Sequence, residues 1–161
     1  MITPTIIVLL LLTPVIVTYL LGRFMDYSFS LQKSACWGLG LAFVFFAMGH
    51  GVKTAGMVDM LPLWVPMRVA LVYLTGLVEL LIAVMLFIPR FQVLGVKIAI
   101  AVLVVFFPAN IYAAFHSIGL GGHQWGPVYL LIRTPLQLLV IAWAYCLCIK
   151  GERYQGKWLK A

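Results

Sequence analysis

Residues 69–88 read VALVYLTGLVELLIAVMLFI. An α-helix rises 1.5 Å per residue, so a run of about 20 apolar residues crosses the hydrocarbon core of a bilayer. This stretch has that length, and a single charge, Glu79, interrupts it. An acidic side chain at mid-helix is uphill by about 2.5–3.5 kcal/mol on insertion-type scales. A spanning helix that keeps one has a partner for it or a use for it.

Working outward, four further runs have the same character: Ile2–Leu21, Ala35–Val52, Val93–Phe115 and Val128–Ile149. The chain has 161 residues, 65% hydrophobic and 9% charged, and a mean hydropathy of +1.12. Soluble domains carry about 25% charged residues, so this composition excludes a water-soluble fold. The apolar runs are continuous rather than alternating, which excludes a membrane β-barrel. The expectation is an all-α polytopic membrane protein, one domain over residues 1–161, with five spans and short connections. The first run lacks a basic leader, and no small-x-small cleavage site precedes Arg23, so it reads as a retained helix rather than a signal peptide.

The net charge of +7 belongs to the flanks of the spans and gives no reason to invoke nucleic acid. With five spans, Arg23, Lys33, Arg90, Lys97, Lys150, Arg153, Lys157 and Lys160 share one side; Lys53, Arg68 and Arg133 share the other. The positive-inside rule then places the C-terminus in the cytoplasm and the N-terminus outside. The expected location is a bacterial inner membrane. Cys36, Cys146 and Cys148 fall near cytoplasmic helix ends, a reducing setting that disfavours a structural disulfide. No CxxC is present.

The connections are legible. Arg23–Ser34 holds Asp26, Ser28, Ser30 and Gln32, a polar interfacial segment. Lys53–Pro66 combines Pro62 and Pro66 with Leu61, Leu63 and Trp64, and reads as a segment lying in the membrane interface with Trp64 at headgroup depth. Pro89-Arg90 stops the third span and forces a tight turn. His116–Pro127 carries Gly119, Gly121, Gly122 and Gly126, flexible enough to fold over the outer mouth. Gly151–Ala161 reads as a solvated tail touching anionic lipid.

Polar and small residues recur at helical spacing on spans two to five: Gly38, Ala42, Gly49 and Lys53; Thr75, Gly76, Glu79 and Ala83; Gly95, Ala99, Asn110, Ala113 and Ser117; Arg133, Gln137 and Ala144. Membrane helices pack through small residues and join through polar ones. Spans two to five are therefore expected to form a four-helix bundle with an internal polar patch, the first span lying outside it. Pro108 and Pro135 sit inside spans, cannot donate to the carbonyls of Val104 and Leu131, and are expected to kink their helices.

By rise alone, Glu79 lies about 16 Å from the outer end of its span and Gln137 about 14 Å deep. Arg133 is one turn nearer the surface, and Asn110 lies at a similar outer level. Glu79, Arg133, Gln137 and Asn110 are expected to form one outward-opening network, either a ligand or proton site or a structural clamp. Alone, Glu79 would be neutral; beside Arg133 it would stay ionised. His50, His116 and His123 all fall on the outer side, near Met48, Met57 and Met60, but their spacing matches no metal motif, and no metal is expected.

Several segments resemble the DoxX-like integral membrane proteins: Leu71-Val72-Tyr73-Leu74-Thr75-Gly76 followed by Glu79 and Pro89-Arg90; Phe107-Pro108-Ala109-Asn110-Ile111-Tyr112; Arg133-Thr134-Pro135-Leu136-Gln137 with Ile141 and Trp143; and Gly49-His50 with Pro62 and Pro66. They span roughly residues 38–145. The resemblance implies a compact four-helix bundle, here with an additional N-terminal transmembrane helix. The family takes its name from subunits linked to thiosulfate and quinone oxidation, and animal relatives look like assembly chaperones for membrane receptors. The sequence departs from the family in its first span and in Ala113-Ala114 after Tyr112. The functional expectation is a membrane protein that binds a small amphipathic ligand, a quinone or lipid, in an outward-facing pocket built by Glu79, Arg133, Gln137, Asn110 and His50. A redox role would need a partner subunit carrying the electron-transfer cofactor, since no cofactor motif is visible; a homo-oligomer is compatible with the sequence. The other class is a membrane-protein chaperone or scaffold, with the polar network purely structural.

Overall fold

The computed structural model describes residues 2–24, 30–117 and 123–150. Asp26, Ser28, Gly119, Gly121, Gly122 and the segment Gly151–Ala161 lie outside them. Among the described residues the chain is all-helical. Helix α1 covers Ile2–Phe24, α2 Leu31–Val52, the short α3 Thr54–Asp59, α4 Arg68–Phe87, α5 Gln92–Phe115 and α6 Leu130–Trp143. A 3₁₀ turn, Pro89–Phe91, joins α4 to α5; another, His123–Tyr129, leads into α6, which continues as a π-helix over Ala144–Ile149. Five helices are long and apolar enough to cross a membrane. They match the five apolar runs to within a few residues at each end.

The principal helices neighbour one another in the order α2, α4, α5, α6, with α1 outside against α2. The ring is closed between α6 and α2 by the π-helical end of α6. We call the end bearing the C-terminus of α2 and the N-terminus of α4 the upper end.

Small residues set how closely the helices approach. A Cβ on Gly38 would collide with the backbone of Leu11, so α1 crosses α2 there in near backbone contact. Ile7 and Leu11 are fully buried in that crossing, and Thr18 and Ser34 hydroxyls meet at 2.6 Å. The first span thus lies outside the four-helix ring as expected, yet docks closely although it has no small-residue stripe; α2 supplies the glycine. On the other face of α2, Gly40 lies against Leu86 and Phe87, and His50 lies against Gly76. Ten residues along α2 match ten along α4, the mark of a straight antiparallel pair. This register leaves the first two turns of α4 standing above the last turn of α2, and α3 packs beside that overhang.

The core is apolar and lies in the lower two-thirds: Leu39, Ala42 and Phe43 of α2, Ile82, Ala83 and Leu86 of α4, Val96 and Ala99 of α5, and Ala144 and Cys148 of the π-helix. Side-chain to backbone bonds secure the lower end. Gln92 donates to the Leu86 carbonyl at 3.0 Å, closing the turn at Pro89. Gln32 donates to the Cys148 carbonyl at 3.0 Å, and the Trp143 indole to that of Ala35 at 3.1 Å. Helices α5 and α6 continue through Pro108 and Pro135. Leu63 and Trp64 are each 83% exposed, on the surface between α3 and α4.

Candidate functional site

Glu79 is buried, 6% exposed. Its partner is His50: Nε2 lies 3.2 Å from Glu79 Oε2. Among the described residues no other cation stands within ion-pair distance of the carboxylate. The fold explains why Arg133 is not the partner. Helices α4 and α6 occupy diagonal positions in the ring, while α2 and α4 are neighbours. Helix α6 packs against α5 and the 3₁₀ turn before it, and Arg133 is half-buried.

The remaining members of the expected network are also placed separately. Gln137 Nε2 donates to the Leu103 carbonyl at 2.6 Å, one residue from the carbonyl that Pro108 leaves free. Asn110 donates to the carbonyl of Phe106, one turn back in its own helix, at 3.1 Å. Both amides bond to backbone carbonyls of α5 near its proline, although neither bonds to the Val104 carbonyl that Pro108 leaves free. The outward-opening network of Glu79, Arg133, Gln137 and Asn110 is therefore replaced by a histidine–carboxylate pair and two backbone clamps.

The pair is built by close packing. A Cβ on Gly76 would stand 2.7 Å from His50 Cβ, so only glycine lets the imidazole lie flat against α4. His50 Nδ1 lies 2.8 Å from the Val72 carbonyl. A carbonyl only accepts, so Nδ1 carries a hydrogen. The Thr75 hydroxyl donates to the same carbonyl at 2.9 Å, and its oxygen sits 3.2 Å from Nδ1 as a second, weaker acceptor. Nε2 is thereby turned onto Glu79. Thr54 caps the turn above, donating to the His50 carbonyl at 2.6 Å. The contact between Nε2 and Oε2 is close but poorly aligned for a hydrogen bond, and Oε2 is buried with no other donor. The stripes Gly49-His50 and Thr75-Gly76-Glu79 held the signal for this pairing; what the sequence could not supply was the order of helices around the ring.

Two clefts open at the upper end. One, of about 340 Å³, is lined by Asp59, Leu61, Leu63, Arg68, Tyr112, His116 and Ser117. The other, of about 610 Å³, is a shallow surface bounded by Val58, Met67, Arg68, Val69, Ala70 and Tyr73. Neither is lined by Glu79, His50, Arg133, Gln137 or Asn110. In the smaller cleft the Tyr112 and His116 rings stack at 4.0 Å, and His116 Nδ1 is tied to the Tyr112 carbonyl at 2.9 Å. Ser117 adopts φ 49° at the end of α5. Among the described residues no three His, Cys, Asp or Glu side chains converge as a metal site would require.

No curated protein and no solved structure matches the chain. The model of one family does, that of a domain of unknown function, DUF8561, over residues 39–148. That match takes in α2 from its first buried leucine, both members of the His50–Glu79 pair, the upper cleft and nearly all of the π-helix, so by more than half its length the chain belongs to the DUF8561 family.

Proposed function

We propose that this protein is a DoxX-like membrane bundle that binds the polar headgroup of a small amphipathic molecule, a quinone or a lipid, at its upper end. The observation that supports it best is the 340 Å³ cleft, lined by a cation (Arg68), a carboxylate (Asp59), an imidazole (His116) and two hydroxyls (Tyr112, Ser117) together with the apolar side chains of Leu61 and Leu63. Binding sites of this size pair a few placed polar groups with an apolar wall. An amphipathic molecule meets both requirements, with its tail passing into the surrounding lipid. The charge distribution of the loops favours placing this end outside the membrane. In this reading the pocket is moved upward from Glu79 to the α3–α4–α5 rim, Glu79 and Gln137 hold the helices that carry it, and Asn110 bonds within α5. A redox role requires a partner subunit, since the chain offers no cofactor motif.

A second reading, a scaffold or assembly chaperone, draws on the filled surroundings of Glu79. Its small residues are committed to internal contacts, with Gly38, Ala42, Ala83, Ala99 and Ala113 all buried, so client helices would have to dock on lipid-facing leucines instead. Native mass spectrometry of the detergent-purified protein separates the two. The expected result is a co-purifying quinone or lipid that Arg68→Gln and His116→Ala release without lowering the melting temperature. A ligand-free wild-type protein that also fails to take up an added quinone or phospholipid overturns the binding reading.

A further inference from the structure

We propose that His50 and Glu79 form one proton-binding site, holding a single proton between Nε2 and Oε2 and exchanging it only through the upper end of the bundle. The pairing geometry fixes the proton count. Nδ1 already holds a hydrogen, because it faces the Val72 carbonyl at 2.8 Å. Nε2 and Oε2 then lie 3.2 Å apart, close enough to share one charge although off-line for a hydrogen bond. With no proton between them, a lone pair opposes a buried carboxylate. With a proton on each, the site carries a net positive charge among apolar side chains. With one, the pair is neutral as a whole, whether written as imidazolium and carboxylate or as imidazole and carboxylic acid. These are two microstates of one titrating unit. Neutrality is what a bilayer interior favours.

The surroundings give the site a direction. Above it, His50 occupies the last turn of α2, its side chain 14% exposed, and Gly51, Val52 and Lys53 beyond it are exposed. Below it, the next turns of α4 offer Ile82, Ala83 and Leu86, and α2 offers Leu39, Ala42 and Phe43, all at 0–1% exposure. None of these can carry a proton, so the site is a dead end rather than a relay across the membrane. Among the described residues the other charged groups of the upper end are Lys53 at the end of α2, Asp59 of α3, Arg68 of α4, His116 after α5 and Arg133 of α6, with the phenols of Tyr73, Tyr112 and Tyr129 beside them. None of them makes an ion pair with either partner. The site is also separate from the upper cleft, which neither residue lines, so it stands whether or not a ligand binds there.

The test uses the full-length protein in lipid nanodiscs. Infrared difference spectra follow the carboxyl stretch, and ¹⁵N spectra of labelled histidine follow His50, through a pH titration over the range in which the protein stays folded. In wild type both probes are expected to report the same midpoint. Glu79→Gln should abolish the carboxyl change and move the His50 midpoint by about one pH unit or more, the size that marks coupled groups. A His50 midpoint that ignores Glu79→Gln, or a wild-type carboxyl signal that never changes, overturns the proposal. The Glu79→Gln comparison suffices if His50 variants fail to fold. Sidedness is read in proteoliposomes by changing the pH on one side only, with orientation set by a cysteine placed at the exposed Leu63. The carboxyl signal should follow the pH on the Leu63 side; a response to the opposite side alone overturns the one-sided access.

Discussion

Replacing Gly76 with alanine perturbs the site at the point where its geometry is set. The added Cβ would lie 2.7 Å from His50 Cβ and 3.1 Å from His50 Cγ, whereas ordinary contact begins at 3.4 Å. The obstacle is the root of a side chain rather than its flexible end, so α2 and α4 must separate by about 0.7 Å there (3.4 less 2.7). Overpacking of this kind costs about 1–3 kcal/mol. Alanine's better helix propensity returns about 1 kcal/mol at most. The expected net loss is about 0–2 kcal/mol, measured by reversible unfolding of the purified protein in mixed micelles. His50→Gly removes both obstructing atoms, and the next nearest neighbour is the Ala47 carbonyl at an ordinary 3.7 Å. In that background Gly76→Ala should be neutral or stabilising, giving a coupling of about 1 kcal/mol or more. Equal costs in the two backgrounds, within about 0.3 kcal/mol, would refute the close-approach argument.

Other expectations concern the remaining contacts. Thr18→Ala and Ser34→Ala should be coupled by about 0.6 kcal/mol, up to about 1.7, the range of interhelical hydrogen bonds in membranes; a double-mutant cycle on unfolding in micelles reads it, and additivity would show that the 2.6 Å contact does not hold α1. Trp143→Phe keeps the ring but loses the bond to the Ala35 carbonyl, for a loss of about 1 kcal/mol in the same assay. A membrane-permeant maleimide should label Cys146 alone in the folded protein and all three cysteines after denaturation, because Cys36 and Cys148 are buried; mass spectrometry counts the adducts. Gln137→Leu should cost about 1 kcal/mol by removing the amide that ties α6 to the Leu103 carbonyl of α5, and a neutral result in thermal unfolding would show that the clamp is dispensable.

Length and hydropathy along the chain were enough to determine the five apolar helices and the tight turn at Pro89-Arg90, because spanning a bilayer demands a run of fixed length and every backbone bond inside it. The same reasoning marked Glu79 as costly and Pro108 and Pro135 as points needing local repair. It also grouped the small and polar residues into stripes, and those stripes do face inward at Ala42, Gly76, Ala83 and Ala99. What the linear pattern could not decide was which stripe meets which. Depth along a helix is a one-dimensional quantity, and it points to Arg133 and Gln137 as partners for Glu79. The order of helices around the ring and the overhang of α4 beyond α2 decide otherwise: α2 neighbours α4, and α6 stands across the bundle. A glycine in α4 then brings the His50 imidazole within reach, and the Val72 carbonyl fixes which nitrogen faces the carboxylate. The sequence determined that a buried charge had to be answered; only the tertiary arrangement decided that a histidine, rather than an arginine, answers it.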